Sequence, residues 1–98
     1  MIRDFFLGFI KIHILYHASK EPIYGFWLIE ELDRHGYKLS PGTLYPILRS
    51  LEEKTLLESY QQTVEGKIRK YYKITLKGKE ALAEARQKIK ELVREVIQ

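Results

Sequence analysis

The sequence has no cysteine. That absence excludes a disulfide framework, a thiolate metal centre and a cysteine nucleophile together. It also lacks a long apolar run. The most apolar stretch, Phe5 to Tyr16, is shorter than the roughly 20 residues a membrane-spanning helix needs, and Lys11 and His13 interrupt it. A basic start and a small-residue cleavage site, the marks of a secretory signal, are missing as well. A soluble cytoplasmic protein with no membrane partner is expected. There is no internal repeat, no low-complexity tract and no linker. Nor is there a phosphate-binding glycine loop, a nucleophile with a plausible base, or a pair of carboxylates in a pocket context, so neither enzymatic activity nor a cofactor is expected.

What is present is enough for one core. The chain has 98 residues, 45% of them hydrophobic, which suits a single domain spanning 1–98. Its formal charge of +4 means little until it is located. Lys67, Arg69, Lys70, Lys73, Lys77 and Lys79 fall in one short stretch with no acid among them. The remainder carries 11 basic and 13 acidic residues, a net −2. Positive charge is confined to one segment, the footprint of a contact with a phosphate backbone.

Hydrophobic periodicity divides the chain. Residues 2–18 read as a helix whose apolar residues, Phe5, Phe6, Phe9, Ile10, Ile14 and Leu15 among them, run around the whole circumference. Such a helix must be covered on more than one side. A chain this small covers one side with its own core, leaving the other for a partner subunit. Glu21-Pro22 ends that helix. A second follows over Tyr24 to His35, with Trp27, Leu28, Glu31 and Leu32 on one face and Gly36 placed for a left-handed cap. Ser40-Pro41 is the strongest start signal in the sequence, a capping hydroxyl followed by proline at the first helical position. The third helix buries Leu44, Ile47, Leu48 and Leu51, spaced i, i+3, i+4, i+7.

After Leu56 the period falls to two. Leu57 to Val64 and Ile68 to Ile74 are strand-like, with Glu65-Gly66 between them as a hairpin turn. Tyr72 is expected in the core and Tyr71 on the outer face. Thr75 caps a last helix running to about Ile97, in which Leu82, Ala85, Ile89, Leu92 and Val96 form a seam that needs another helix against it.

The order is helix, helix, helix, two-stranded hairpin, long helix. A short glycine-containing turn joins the second and third helices, as in a helix-turn-helix, and a basic hairpin follows. The fold class is α+β, mostly α: a winged helix-turn-helix over 1–75, including the N-terminal helix, and a long C-terminal dimerisation helix over 76–98. In this architecture the third helix enters the major groove and the wing touches the backbone.

Tyr24-Gly25-Phe26, the run Gly36 to Leu48 with its Ser-Pro-Gly-Thr-Leu-Tyr-Pro core, Leu51-Glu52, and Arg69-Lys70-Tyr71-Tyr72-Lys73-Ile74-Thr75 with Gly78 resemble the PadR family of transcriptional regulators. The resemblance spans about Tyr24 to Leu82, and the short C-terminal helix looks like the family's small subgroup. It implies a homodimeric repressor built through its first and last helices, bound to a near-palindromic operator, with release by an inducer. Two positions depart from the pattern. Thr55 stands where the family usually ends its third helix with glycine, so that helix is expected to end differently or run further. Trp27 stands where a polar residue is common. It either lines an inter-subunit cavity for a small apolar or aromatic ligand or packs against the first helix, and the residues leave both open.

The candidate DNA-binding residues follow. Thr43, Tyr45 and Arg49 occupy the groove-facing side of the third helix, Arg49 being able to donate two bonds to a guanine edge or to pair with Glu53 one turn on. Ser40 is chiefly a cap, at a helix terminus that can also hold a phosphate. Tyr24 can reach a phosphate through its hydroxyl. Lys67, Arg69 and Lys70 contact the backbone, Lys67 being the most exposed. The candidate dimer interface is Phe5, Phe6, Phe9, Leu82, Ile89, Leu92, Val93 and Val96. His13 and His17 have a spacing that metal sites use, but no carboxylate or thiolate near them in sequence completes a set, so no metal is expected. The competing reading is a protein-interaction module that uses the winged-helix surface, with DNA binding incidental.

Overall fold

The fold was analysed in a computed structural model describing residues 1–98. Its elements are α1 (Ile2–Lys20), β1 (Ile23–Tyr24), α2 (Gly25–Arg34), α3 (Pro41–Glu53), β2 (Leu57–Val64), β3 (Lys67–Ile74) and α4 (Leu76–Val96). The boundaries follow the sequence signals, with one addition. Ile23 and Tyr24 do not begin α2. They form a two-residue strand that pairs antiparallel with β3, Ile23 opposite Tyr72 and Tyr24 opposite Tyr71.

The sheet order is β1-β3-β2. Strands β2 and β3 pair from Leu57 opposite Ile74 to Val64 opposite Lys67, which leaves Glu65 and Gly66 as a two-residue turn. Both have positive φ, 51° and 78°, the geometry that lets a tight hairpin follow the natural twist of its strands.

One core joins the layers. Ile14 of α1, Leu28 and Leu32 of α2, Leu44 and Leu48 of α3 and Leu57 of β2 are fully buried, with Tyr72 of β3 and Leu82 of α4 beside them. Each such side chain contributes about 1.5–3 kcal/mol through removal from water. Tyr72 faces inward as its alternation requires, and burial pushes its phenol above the usual value.

Helices α2 and α3 terminate alike. The Tyr37 N–H donates to the Leu32 carbonyl and the Leu56 N–H to the Leu51 carbonyl, both at 2.9 Å. This closure requires a left-handed residue just inside the bond. Gly36, at φ 89°, fills that place after α2, and Thr55, at φ 59°, fills it after α3. The expectation that threonine would shift the end of α3 is therefore corrected. The helix stops at Glu53 and Thr55 takes the strained conformation, held by its neighbours. Its hydroxyl donates to the Lys54 carbonyl at 2.6 Å, and its own carbonyl accepts from the Thr75 hydroxyl at 2.6 Å.

Thr75 acts twice, since its hydroxyl oxygen also accepts from the Gly78 N–H at 3.0 Å to cap α4. Gly78 lets α4 approach the end of α3 closely, because a Cβ there would run into the Leu56 carbonyl oxygen. The cap at α3 differs from expectation. Ser40 occupies the capping position and its carbonyl accepts from the Thr43 and Leu44 N–H groups, but its hydroxyl meets the Thr43 hydroxyl at 3.3 Å rather than a backbone N–H.

Candidate nucleic-acid interface

The sheet face turned away from the core carries a row of tyrosines. Because Tyr24, Tyr71 and Tyr60 are in register across β1, β3 and β2, their rings meet, edge-on between Tyr24 and Tyr71 and stacked between Tyr71 and Tyr60, each pair with centroids 5.5 Å apart. Arg69 lies over this row. Its guanidinium carbon is 4.0 Å from the centroid of the Tyr24 ring, and its Nη1 donates to the Tyr71 hydroxyl at 3.3 Å. A guanidinium fixed in this way has already lost much of its rotamer freedom and keeps donors free for a phosphate.

Tyr24, Tyr45, Lys67, Ile68, Arg69 and Lys70 line a groove of about 520 Å³ between the wing and the starts of α2 and α3. Five of the sequence-derived candidates thus come together in one groove. No carboxylate forms an ion pair with Lys67, Arg69 or Lys70, whereas Lys73, nearer the base of the wing, is paired with Glu58 at 3.2 Å. The wing's cations without an ion pair are the ones toward its tip, where the turn residue Glu65 lines the same groove. Tyr45 is held from beneath by a close approach, since its ring packs on Gly25 and a Cβ there would clash with the phenol.

Ser40, Thr43 and Arg49 lie outside this groove. All are exposed along α3, and Arg49 enters no ion pair, so its pairing with Glu53 does not occur. Phe26, 68% exposed on the groove wall, was not anticipated. Its sole signal is its position outside the Trp27–Leu28 face of α2.

The exposed face of α1 and α4 is apolar. Phe5, Phe6 and Phe9 of α1 and Ile89, Leu92 and Val96 of α4 are exposed, and Val93 is half-buried. Leu82 differs, being only 3% exposed. Its assignment to a surface between subunits is corrected: it lies where α4 first meets α1, and its own chain covers it. A cavity of about 380 Å³ opens beside it, with walls that include Phe9, Ile12, Tyr16, Tyr37 and Ile89.

His13, His17 and His35 reach this cavity from α1 and the end of α2. Glu31 stands behind them, 3.2 Å from Nε2 of His35 and 3.7 Å from Nε2 of His17. Burial holds the imidazoles of His13 and His17 below their ordinary value, and the neighbouring histidines add to the effect. Trp27 is half-buried and edge-on to His17, with ring centroids 5.4 Å apart. It is not among the residues lining the cavity.

The sequence profile of the Transcriptional regulator PadR-like family matches residues 14–84. The chain belongs to the PadR-like family. Transcriptional regulator Rv3488 of Mycobacterium tuberculosis is 47% identical over 96 residues, covering 98% of this chain and 90% of that protein. A PadR family transcriptional regulator from Eggerthella lenta superposes with a TM-score of 0.84 at 33% identity, covering 98% of this chain and 85% of that one. A PadR-like transcriptional regulator from Bacillus cereus does so with a TM-score of 0.79 at 35% identity over 93% of each. The protein is accordingly a DNA-binding transcriptional regulator of the PadR-like family with its winged-helix fold, and not an enzyme. No helix is long and apolar enough to cross a membrane.

Proposed function

We propose that this PadR-like regulator is a homodimeric, cytoplasmic repressor. It binds a near-palindromic operator, with α3 in the major groove and the β2–β3 wing on the backbone. The observation that carries this reading is the set of wing cations Lys67, Arg69 and Lys70, none of them in an ion pair, together with the exposed, unpaired Arg49 of α3. Lysine at the wing tip attracts any duplex, while arginine on α3 can discriminate a base pair. The apolar surface of α1 and α4 supports pairing of two chains, and two-fold pairing favours a two-fold operator. Release by a small apolar or aromatic inducer fits the apolar-walled cavity between α1 and α4, whose volume falls in the range of ligand pockets.

The test is footprinting upstream of the protein's own gene, followed by mobility shifts with two variants. Lys67→Ala is expected to weaken operator and random DNA alike and to reduce the log–log salt slope by about 1. Arg49→Ala is expected to cost about 1–3 kcal/mol on the operator and little on random DNA. Equal losses on both DNAs for both variants overturn this division of roles.

A further inference from the structure

The histidine cluster has a geometry that the sequence hid. The protein's three histidines are His13 and His17, one turn apart on α1, and His35, at the C-terminal end of α2 and 18 residues beyond His17 in the chain. Folding gathers all of them, with their candidate ligand nitrogens within 4.8 Å of one another. His13 and His35 stack with ring centroids 4.8 Å apart. Nε2 of His17 is buried and has no hydrogen-bond partner, the single orphaned buried side-chain atom in the chain. The nearby Glu31 oxygen, at 3.7 Å, is beyond hydrogen-bond reach. Leaving a buried nitrogen unpaired costs about 1–3 kcal/mol, and neither the core nor the winged-helix geometry requires that cost.

We infer that His13, His17 and His35 form a binding site for a divalent transition-metal ion of the zinc, nickel or cobalt type, with the Glu31 carboxylate behind it. Three imidazoles are a donor set that first-row transition ions accept and that magnesium and calcium, which take oxygen ligands, do not. Nitrogens on a tetrahedral ion with bonds of about 2.0–2.1 Å stand about 3.4 Å apart. Side-chain rotation alone can close the difference from 4.8 Å, because His35 is exposed and the other two rings border a cavity. Glu31, whose side chain is only 12% exposed, is within hydrogen-bond reach of His35 at 3.2 Å and pairs with Arg34 at 3.0 Å. It orients His35 and offsets part of the charge of the dication, as carboxylates behind metal-bound histidines do. The open side, toward the cavity, leaves a coordination position for water or a small ligand. The site is complete within one chain, so it depends neither on DNA binding nor on pairing of subunits. An ion there would join α1 to α2, tying the apolar helix to the reading unit.

The test uses the full chain without a histidine tag. Titration calorimetry with zinc is expected to give one ion per chain with micromolar or tighter affinity, and cobalt to give a visible ligand-field spectrum of the same stoichiometry. His35→Gln removes an exposed side chain, so the fold persists, as circular dichroism checks. Loss of one ligand should weaken zinc binding by at least about a hundredfold, the upper end of what loss of a supporting group costs. Glu31→Gln should weaken it by about tenfold. Zinc at a hundredfold excess over the wild-type Kd should raise the wild-type Tm by about 10–20 °C and, at the same concentration, that of His35→Gln by no more than about 3 °C. Absence of stoichiometric binding to the wild type overturns the assignment. So does binding that survives replacement of all three histidines, or that calcium reproduces.

Discussion

The two ends of the molecule leave opposite kinds of group uncovered. At the wing, Lys67, Arg69 and Lys70 stand without ion-pair partners around a row of tyrosines in ring contact. On the α1–α4 side, Phe5, Phe6, Phe9, Ile89, Leu92 and Val96 stand without cover. An isolated domain gains nothing from either surface, since one end keeps uncompensated charge together and the other keeps oil in water. Each surface is intelligible as half of a contact, one with a polyanion and one with a second apolar face. The difference also shows where stability and function separate: between the two ends lies a closed core that does neither job directly.

The comparison can be broken most sharply at Phe9. Phe9→Asp places a carboxylate in the exposed apolar face without touching the core. It should shift the protein to monomer in sedimentation equilibrium and lower operator affinity by at least about a hundredfold, because an unpaired charge buried between subunits costs several kcal/mol. A variant that remains dimeric would show that this face is not the one that pairs. Next in size is the contrast between two leucines of α4. Leu82→Ala should cost about 2–5 kcal/mol in chemical denaturation, as a buried cavity does. Leu92→Ala, on the exposed seam, should leave the stability of the monomeric Phe9→Asp background within about 0.5 kcal/mol.

A smaller effect is expected at Gly25. Gly25→Ala pushes the Tyr45 ring off its seat and should reduce DNA affinity by about tenfold with no change in net charge or salt slope, read by fluorescence anisotropy. Smallest is Thr55→Gly, which relieves a β-branched residue at φ 59° and should raise Tm by a few degrees, about 1 kcal/mol of stabilisation, in a thermal melt.

The parts of the fold legible in the sequence were those set by local rules. Pro22, Gly36 and Pro41 mark chain breaks by their own backbone limits, and the Glu65-Gly66 turn fixes the register of its hairpin. What escaped depends on residues far apart in the chain. Strand β1 is too short to show alternation and exists because Tyr71 and Tyr72, nearly fifty residues on, offer it an edge. Thr55 was misjudged because local propensity opposes its conformation, while Thr75, from beyond the hairpin, helps to hold it there. Leu82 belongs to a heptad-like seam, but the seam enters the core at that point and leaves it further along α4. His13 and His17 looked incomplete because His35 and Glu31 come from the next helix.

The two-residue strand has a mechanical consequence. By pairing with β3, it stitches the base of the wing to the residues immediately before α2. The hairpin is therefore not an arm swinging on its own turn; it travels with α2 and α3 as one rigid reading head. In the proposed dimer, two such heads could adapt to an operator only by changing the angle between them, at the seam of α1 and α4. Tolerance for altered half-site spacing would then be set by helices that do not themselves read the DNA.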